Sequence, residues 1–324
     1  METLIQFFLP ISIWFQATPD WLTSIFQGIT FLGNTEFYLL VMPVLFWCFD
    51  TTLGIRIGIM LLVSGSINNI LKFCFQWPRP FWVSTQVEAL VEGTGFGFPS
   101  GHSQNASSIW GLLATSTRKN WVRWSALAAI VLIGLSRIVL GVHFTHDVLL
   151  GWLVGFLLLL VFLNFEKGVI NWFKNNPIGI QILVLLVVTG LLILPAILRV
   201  PPFNPPAVPP SWIEGAGEII TPYSYDDLLT TTGSFLGLGL GVILLYKTGM
   251  FTQQGKTWQL ILRYLVGIIG ILVLYLGLGS IFPDDISLLS YLLRFLRYFL
   301  IGLWIAFGAP RLFMWLKLTT KKSV

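Results

Sequence analysis

The residues able to do chemistry in this 324-residue chain gather in three short strings, and all three of its histidines lie there. The first string, KFCFQWPRP at 72–80, carries Lys72 and Arg79. Arg79 precedes a proline, which favours extended backbone and sets its guanidinium on a loop. Two cations without an acidic neighbour suit an anion, although alone they also fit side chains that snorkel to lipid headgroups. The second string, FPSGHS at 98–103, places Ser100, Gly101 and His102 at a helix start, where free N–H groups suit a phosphate. Alone, that is ordinary capping. The glycines before it, GTGFGF, have no preceding strand and no following lysine, so a nucleotide loop is excluded. The third string, SRIVLGVHFTHD at 136–147, holds Arg137, His143, His146 and Asp147. His143 and Asp147 stand four apart and share a helix face, so the carboxylate can fix the tautomer and leave the other ring nitrogen as a nucleophile. His146 falls on another face and is expected to meet the outer layer of the site or a headgroup. Together the strings supply three cations, two donors at a helix end, a nucleophile and an acid, a set suited to a dianionic phosphate. Asp147 is the only acidic residue in them, so no metal is expected.

Elements buried in a bilayer must position these strings. Only 10% of the residues are charged, 55% are hydrophobic, and the mean hydropathy is +0.82. Soluble domains carry about a quarter charged residues. Apolar runs near the ~20 residues that span a bilayer are expected as helices at 36–49, 54–73, 102–117, 123–141, 147–165, 178–198, 228–246, 258–281 and 287–314. The fold class is thus all-α, a polytopic bundle of about nine membrane helices. Residues 1–35, broken by Pro10 and by Pro19-Asp20, read as an interfacial segment; 36–176 forms the core bundle, and 177–324 adds further helices. The proline-rich stretch PPFNPPAVPP at 201–210 is an extended outer loop, and the glycines of GSFLGLGLG at 233–241 suit close helix packing.

Charge orients the bundle. Arg118, Lys119, Arg123, Lys167, Lys174, Lys247, Lys256 and the basic C-terminus fall on one side. Glu88, Glu92, Glu214, Glu218, Asp226, Asp227, Asp284 and Asp285 fall on the other. The basic side is expected to be cytoplasmic, with the C-terminus there and all three strings outward, in the plasma (inner) membrane. The formal net charge of +5 is spent on this asymmetry, and no nucleic acid partner is implied. Cys48 and Cys74 supply neither a disulfide framework nor a zinc cluster.

The three strings resemble the signature of the type 2 phosphatidic acid phosphatase superfamily: Lys, six residues, Arg-Pro; then Pro-Ser-Gly-His; then Ser-Arg, five residues, His, three residues, Asp. Every position is matched, within 72–147, and the likeness extends over about 36–165. The resemblance implies a lipid phosphate phosphatase without metal or cofactor, with the bilayer and a lipid phosphate or diphosphate as partners. It implies that His143 attacks phosphorus, that Asp147 orients it, and that His102 protonates the leaving alcohol. Lys72, Arg79, Ser100, Gly101 and Arg137 would hold the phosphoryl oxygens. Two other readings stay open: a phosphotransferase using the same site, and an anionic-lipid transporter, the latter disfavoured because no matched halves are visible.

Overall fold

The computed structural model describes residues 2–93 and 95–322. It is all-helical, and no strand forms among the described residues beyond a single antiparallel bridge between Phe251 and Lys321. The helices are α1 (Glu2–Gln16), α2 (Asp20–Phe31), α3 (Thr35–Val44), α4 (Thr51–Phe75), α5 (Pro80–Val83), α6 (Gly101–Asn105), α7 (Gly111–Thr115), α8 (Asn120–Val139), α9 (Thr145–Asn175) and α10 (Ile178–Arg199). They are followed by α11 (Pro210–Ala216), α12 (Asp226–Thr248), α13 (Thr257–Leu272), α14 (Leu288–Leu303) and α15 (Ala309–Trp315).

Seven helical stretches are long and apolar enough to cross a membrane: Thr51–Val83, Asn120–Val139, Thr145–Asn175, Ile178–Arg199, Asp226–Thr248, Thr257–Gly277 and Leu288–Trp315. The protein is an integral, multi-pass membrane protein. Two of the nine expected spans are shorter. Phe37–Phe49 is a shorter apolar helix, in which Pro43 removes a backbone donor and the next turn, Leu45–Phe49, widens to π geometry. The expected span at 102–117 runs from Gly101 to Thr115 and is also interrupted by a π turn, Ala106–Trp110. Residues 2–31, expected as an amphipathic surface segment, form the helices α1 and α2.

The chain divides into two compact units. The first comprises Met1–Tyr38, Ile67–Asn164 and Pro195–Ser224; the second comprises Leu39–Ser66, Phe165–Leu194 and Tyr225–Val324. In the first unit Ala106, Ala129 and Ile133 form a core with Ile29, Leu32 and Trp110, so α2 packs with α8 and the helix from 101 to 115. Glycines set the approach of α9 to that helix. A Cβ at Gly151 would stand 2.6 Å from the carbonyl oxygen of Ser100, and one at Gly155 would stand 2.2 Å from that of Gln104. Such contacts need backbone against backbone, the usual use of small residues between membrane helices.

In the second unit Leu185, Phe235 and Ile243 centre a cluster with Ile59, Leu62, Val63 and neighbouring apolar side chains. The glycine-rich run packs as its composition suggests. Cβ atoms at Gly233 and Gly237 would meet the carbonyl oxygens of Phe295 and Phe299 at 2.6 and 2.0 Å, so α12 and α14 lie in backbone contact. Arg56 and Glu166 pair at 2.7 Å.

Candidate active site

The first unit brings the three strings together. His143 ends the tight turn that joins α8 to α9. The Arg137 carbonyl accepts from the N–H groups of Val142 and His143, both at 3.2 Å. Gly141 allows the reversal through a φ of +73°, and a Cβ there would also stand 2.2 Å from the Glu88 carbonyl oxygen. One turn later Asp147 is fully buried at the start of α9. Its Oδ2 accepts from the Phe144 N–H at 2.8 Å and lies 3.3 Å from His143 Nδ1.

Arg79 approaches the ring from the opposite side. Its NH1 is 3.3 Å from His143 Nε2. Guanidinium groups have donors and no acceptor, so Nε2 must present its lone pair to Arg79 and Nδ1 must carry the proton towards Asp147. The Nδ1–H tautomer, which leaves Nε2 unprotonated, is thereby held from both ends. Burial, reinforced by the positive charges of Arg79, Arg137 and Lys72, holds His143 well below the ordinary imidazole range, so the ring is neutral at pH 7.

Arg79 itself is held by carbonyls. Its Nε donates to Gly95 at 2.8 Å, NH1 to Val142 at 2.8 Å, and NH2 to Phe96 at 3.5 Å. Lys72 reaches the same loop, for a Cβ at Gly95 would stand 3.8 Å from its Nζ. Arg137 is 4% exposed; NH1 donates to Thr30 Oγ1 at 2.6 Å, and Nε has no hydrogen-bonding partner among the described residues. A buried guanidinium N–H without a partner costs free energy that an anion can offset.

Ser100 caps the helix from 101, its hydroxyl accepting from the Ser103 N–H at 3.4 Å and hydroxyl at 3.0 Å. Its own N–H donates to the Asp147 carbonyl at 3.0 Å, which ties the second string to the third. Gly101 lies against Asn68, whose Oδ1 would be 2.9 Å from a Cβ there. Asn68 Nδ2 donates to the Pro99 carbonyl at 3.2 Å and to Gln104 Oε1 at 2.9 Å, so α4 braces this turn. His102 stands with Nε2 2.8 Å from Asn34 Oδ1.

His146, expected on a separate face, is close to the carboxylate after all. Nε2 lies 3.1 Å from Asp147 Oδ1, although without the alignment of a hydrogen bond. The rings of Phe8, Trp77, Phe98 and Phe144 surround it at centroid distances of 4.8 to 5.5 Å. Thr30, Asn34, Asn68 and Phe8 are the site neighbours that motif spacing did not indicate. The segment after α10 also reaches this region: Trp212 of α11 packs on Trp82 and Phe96, at centroid distances of 5.6 and 6.5 Å.

Comparison with known proteins fits this arrangement. Residues 53–170 match the PAP2 superfamily model, and residues 229–322 match the model of the PAP2 superfamily phosphatase transmembrane extension. Phosphatidylglycerophosphatase B of Bacillus subtilis (strain 168) is 34% identical over 165 residues, covering 46% of this chain and 77% of that protein. Glucose-6-phosphatase 3 of Homo sapiens is 30% identical over 184 residues, and the match spans only about half of that relative, 52%. A crystal structure of a transmembrane PAP2 type phosphatidylglycerolphosphate phosphatase from Bacillus subtilis aligns at 30% identity and a TM-score of 0.41, covering 52% of this chain and 86% of that one. The matched models, the bacterial relative and the three strings agree: this chain belongs to the PAP2 superfamily of membrane phosphatases.

Proposed function

We propose that the protein hydrolyses the phosphate or diphosphate ester of a lipid at the outer face of the plasma (inner) membrane, through a phosphohistidine on His143. The observation that carries this reading is the ring of His143, held at Nδ1 by Asp147 and facing Arg79 at Nε2. Nε2 would attack phosphorus in line with the ester oxygen. An N–P bond forms, the P–O bond breaks, and His102, doubly protonated once the dianionic phosphate is bound beside it, gives a proton to the departing alcohol. Water then attacks phosphorus, His102 takes its proton, and phosphate leaves with the N–P bond broken. Arg79, Arg137, Lys72, the Ser100 hydroxyl and the Gly101 N–H would hold the phosphoryl oxygens as charge builds on them, each donor contributing on the order of 10²–10³ in rate. The cations supply this charge without a metal.

A lipid substrate suits the setting. The site is built at helix ends, and neighbouring helix surfaces carry exposed leucines, such as Leu149 and Leu153 of α9, that belong against acyl chains. Relatives named for phosphatidylglycerophosphate and sphingosine-1-phosphate favour the same class. The excess of Lys and Arg in the other loops supports the outward placement and a cytoplasmic C-terminus.

The test is phosphate release by purified protein from phosphatidate, phosphatidylglycerophosphate, sphingosine-1-phosphate and a polyprenyl diphosphate in mixed micelles. At least one lipid should turn over in excess EDTA, and His143→Ala should lose about 10⁴-fold or more, as expected on removing a nucleophile. Equal release by wild type and His143→Ala would remove the catalytic role, and loss of activity in EDTA would contradict the metal-free mechanism.

A further inference from the structure

The N-terminal helices reach the active site at two points. Thr30, in the last turn of α2, accepts from Arg137 at 2.6 Å, and Asn34, just beyond that helix, accepts at 2.8 Å from His102 Nε2. An Asn immediately before a helix such as α3 ordinarily serves as its cap. Here its side-chain oxygen meets an imidazole 68 residues away in sequence. Gly33 adds a steric constraint on the same ring. A Cβ at Gly33 would stand 2.8 Å from His102 Cδ2 and 3.0 Å from Ile133 Cγ2, so the ring lies flush against the backbone after α2.

We propose that Asn34 is a positioning residue for proton transfer to the leaving group, its Oδ1 accepting the Nε2–H of His102 and leaving Nδ1 as the nitrogen that delivers the proton. This rests on the phosphohistidine reading above. An amide oxygen at this place restricts rotation of the imidazole and selects which nitrogen holds its proton when the other gives one up. Gly33 provides the space in which that ring sits. Nothing in this role touches the nucleophile, so attack by His143 on a substrate that needs no help at its leaving oxygen should proceed nearly unchanged.

Leaving-group dependence therefore tests the idea. Full-length wild type and Asn34→Leu would be assayed in mixed micelles on an alkyl lipid phosphate and on p-nitrophenyl phosphate, whose phenolate departs unprotonated. General acid catalysis contributes roughly 10²–10⁴ in rate, and misplacing the acid should forfeit part of it, about 10- to 50-fold in kcat on the alkyl phosphate. Turnover of p-nitrophenyl phosphate should stay within about threefold. Asn34→Asp, which retains an oxygen acceptor, should keep alkyl turnover near the wild-type rate. Inhibition by orthovanadate reports whether the phosphate site is still formed. Equal loss on both substrates with vanadate inhibition retained would overturn the proposal, as would no loss on either. Should Asn34→Leu lose vanadate inhibition, Asn34→Asp decides: alkyl turnover retained supports the role, and both activities lost refutes it. His143→Ala in the same assays keeps the two readings apart, because activity surviving there defeats the parent mechanism whatever Asn34 does.

Discussion

Two buried arginines, one in each unit, differ in how completely the surrounding protein satisfies their donors. Arg263 of α13 is wholly buried in the second unit and is saturated by backbone carbonyls. Nε and NH2 donate to Leu318 at 3.0 and 2.7 Å, NH1 to Thr252 and Gln253 at 3.3 and 3.0 Å, and NH2 also to Gln254 at 2.9 Å. It knots the segment after α12 to the C-terminal segment. Arg137 of α8 is just as deep in the first unit, yet it donates to Thr30 and keeps an Nε without a partner among the described residues. Arg79 lies between the two cases, because carbonyls fix its guanidinium while NH1 faces His143. Burial alone thus does not mark a functional charge. A donor without a partner among the described residues, close to His143, is what marks Arg137 as a candidate.

Exchanging each arginine for a neutral residue should separate these roles. Arg137→Gln should lose about 10²–10³ in kcat/KM and most of its vanadate inhibition, because a donor to the transition state has gone. Its thermal midpoint should change little. Arg263→Ala should do the reverse, costing on the order of 3 kcal/mol through abandoned carbonyls, with normal activity per folded molecule. Thermal unfolding in detergent beside specific activity reads both, and the comparison fails if the two variants behave alike.

A smaller effect lies in pH. Protonated His143 cannot attack, and the cations around it oppose protonation, so the acid limb of kcat/KM should fall below the ordinary value of 6.5. Lys72→Gln removes one of those charges. Protonation then becomes easier, and the limb should move to higher pH by about half a unit to one unit. A limb that stays put would show that burial alone sets the ring. Smallest of all should be His146→Phe. The aromatic surroundings accept another ring, and the unaligned contact with Asp147 carries little, so kcat should stay within about threefold. A loss near that of Arg137→Gln would place His146 in the machinery.

Much of the site was legible because its information is local. The spacings within 72–80, 99–102 and 136–147 are covalent, and a four-residue step from His143 to Asp147 on helical backbone needs no long-range knowledge. The apolar runs likewise announced the membrane helices. What remained hidden depends on pairing across the chain. Thr30 and Asn34 sit in an amphipathic stretch, and their partners lie 107 and 68 residues away, so composition could say only that the segment likes an interface. The π turns at Leu45–Phe49 and Ala106–Trp110 were invisible for another reason: hydropathy counts apolar residues and is blind to hydrogen-bond register. A polar residue close to a proline-broken apolar helix was the one available hint at Asn34.

The measurement that bears most directly on the account is rapid-quench trapping with a radiolabelled lipid phosphate, followed by mapping of the labelled peptide. Acid-labile, base-stable label on His143, formed within a turnover and absent from His143→Ala, is the predicted result. Label on His146 or His102, or steady phosphate release with no labelled protein at any time, would contradict it.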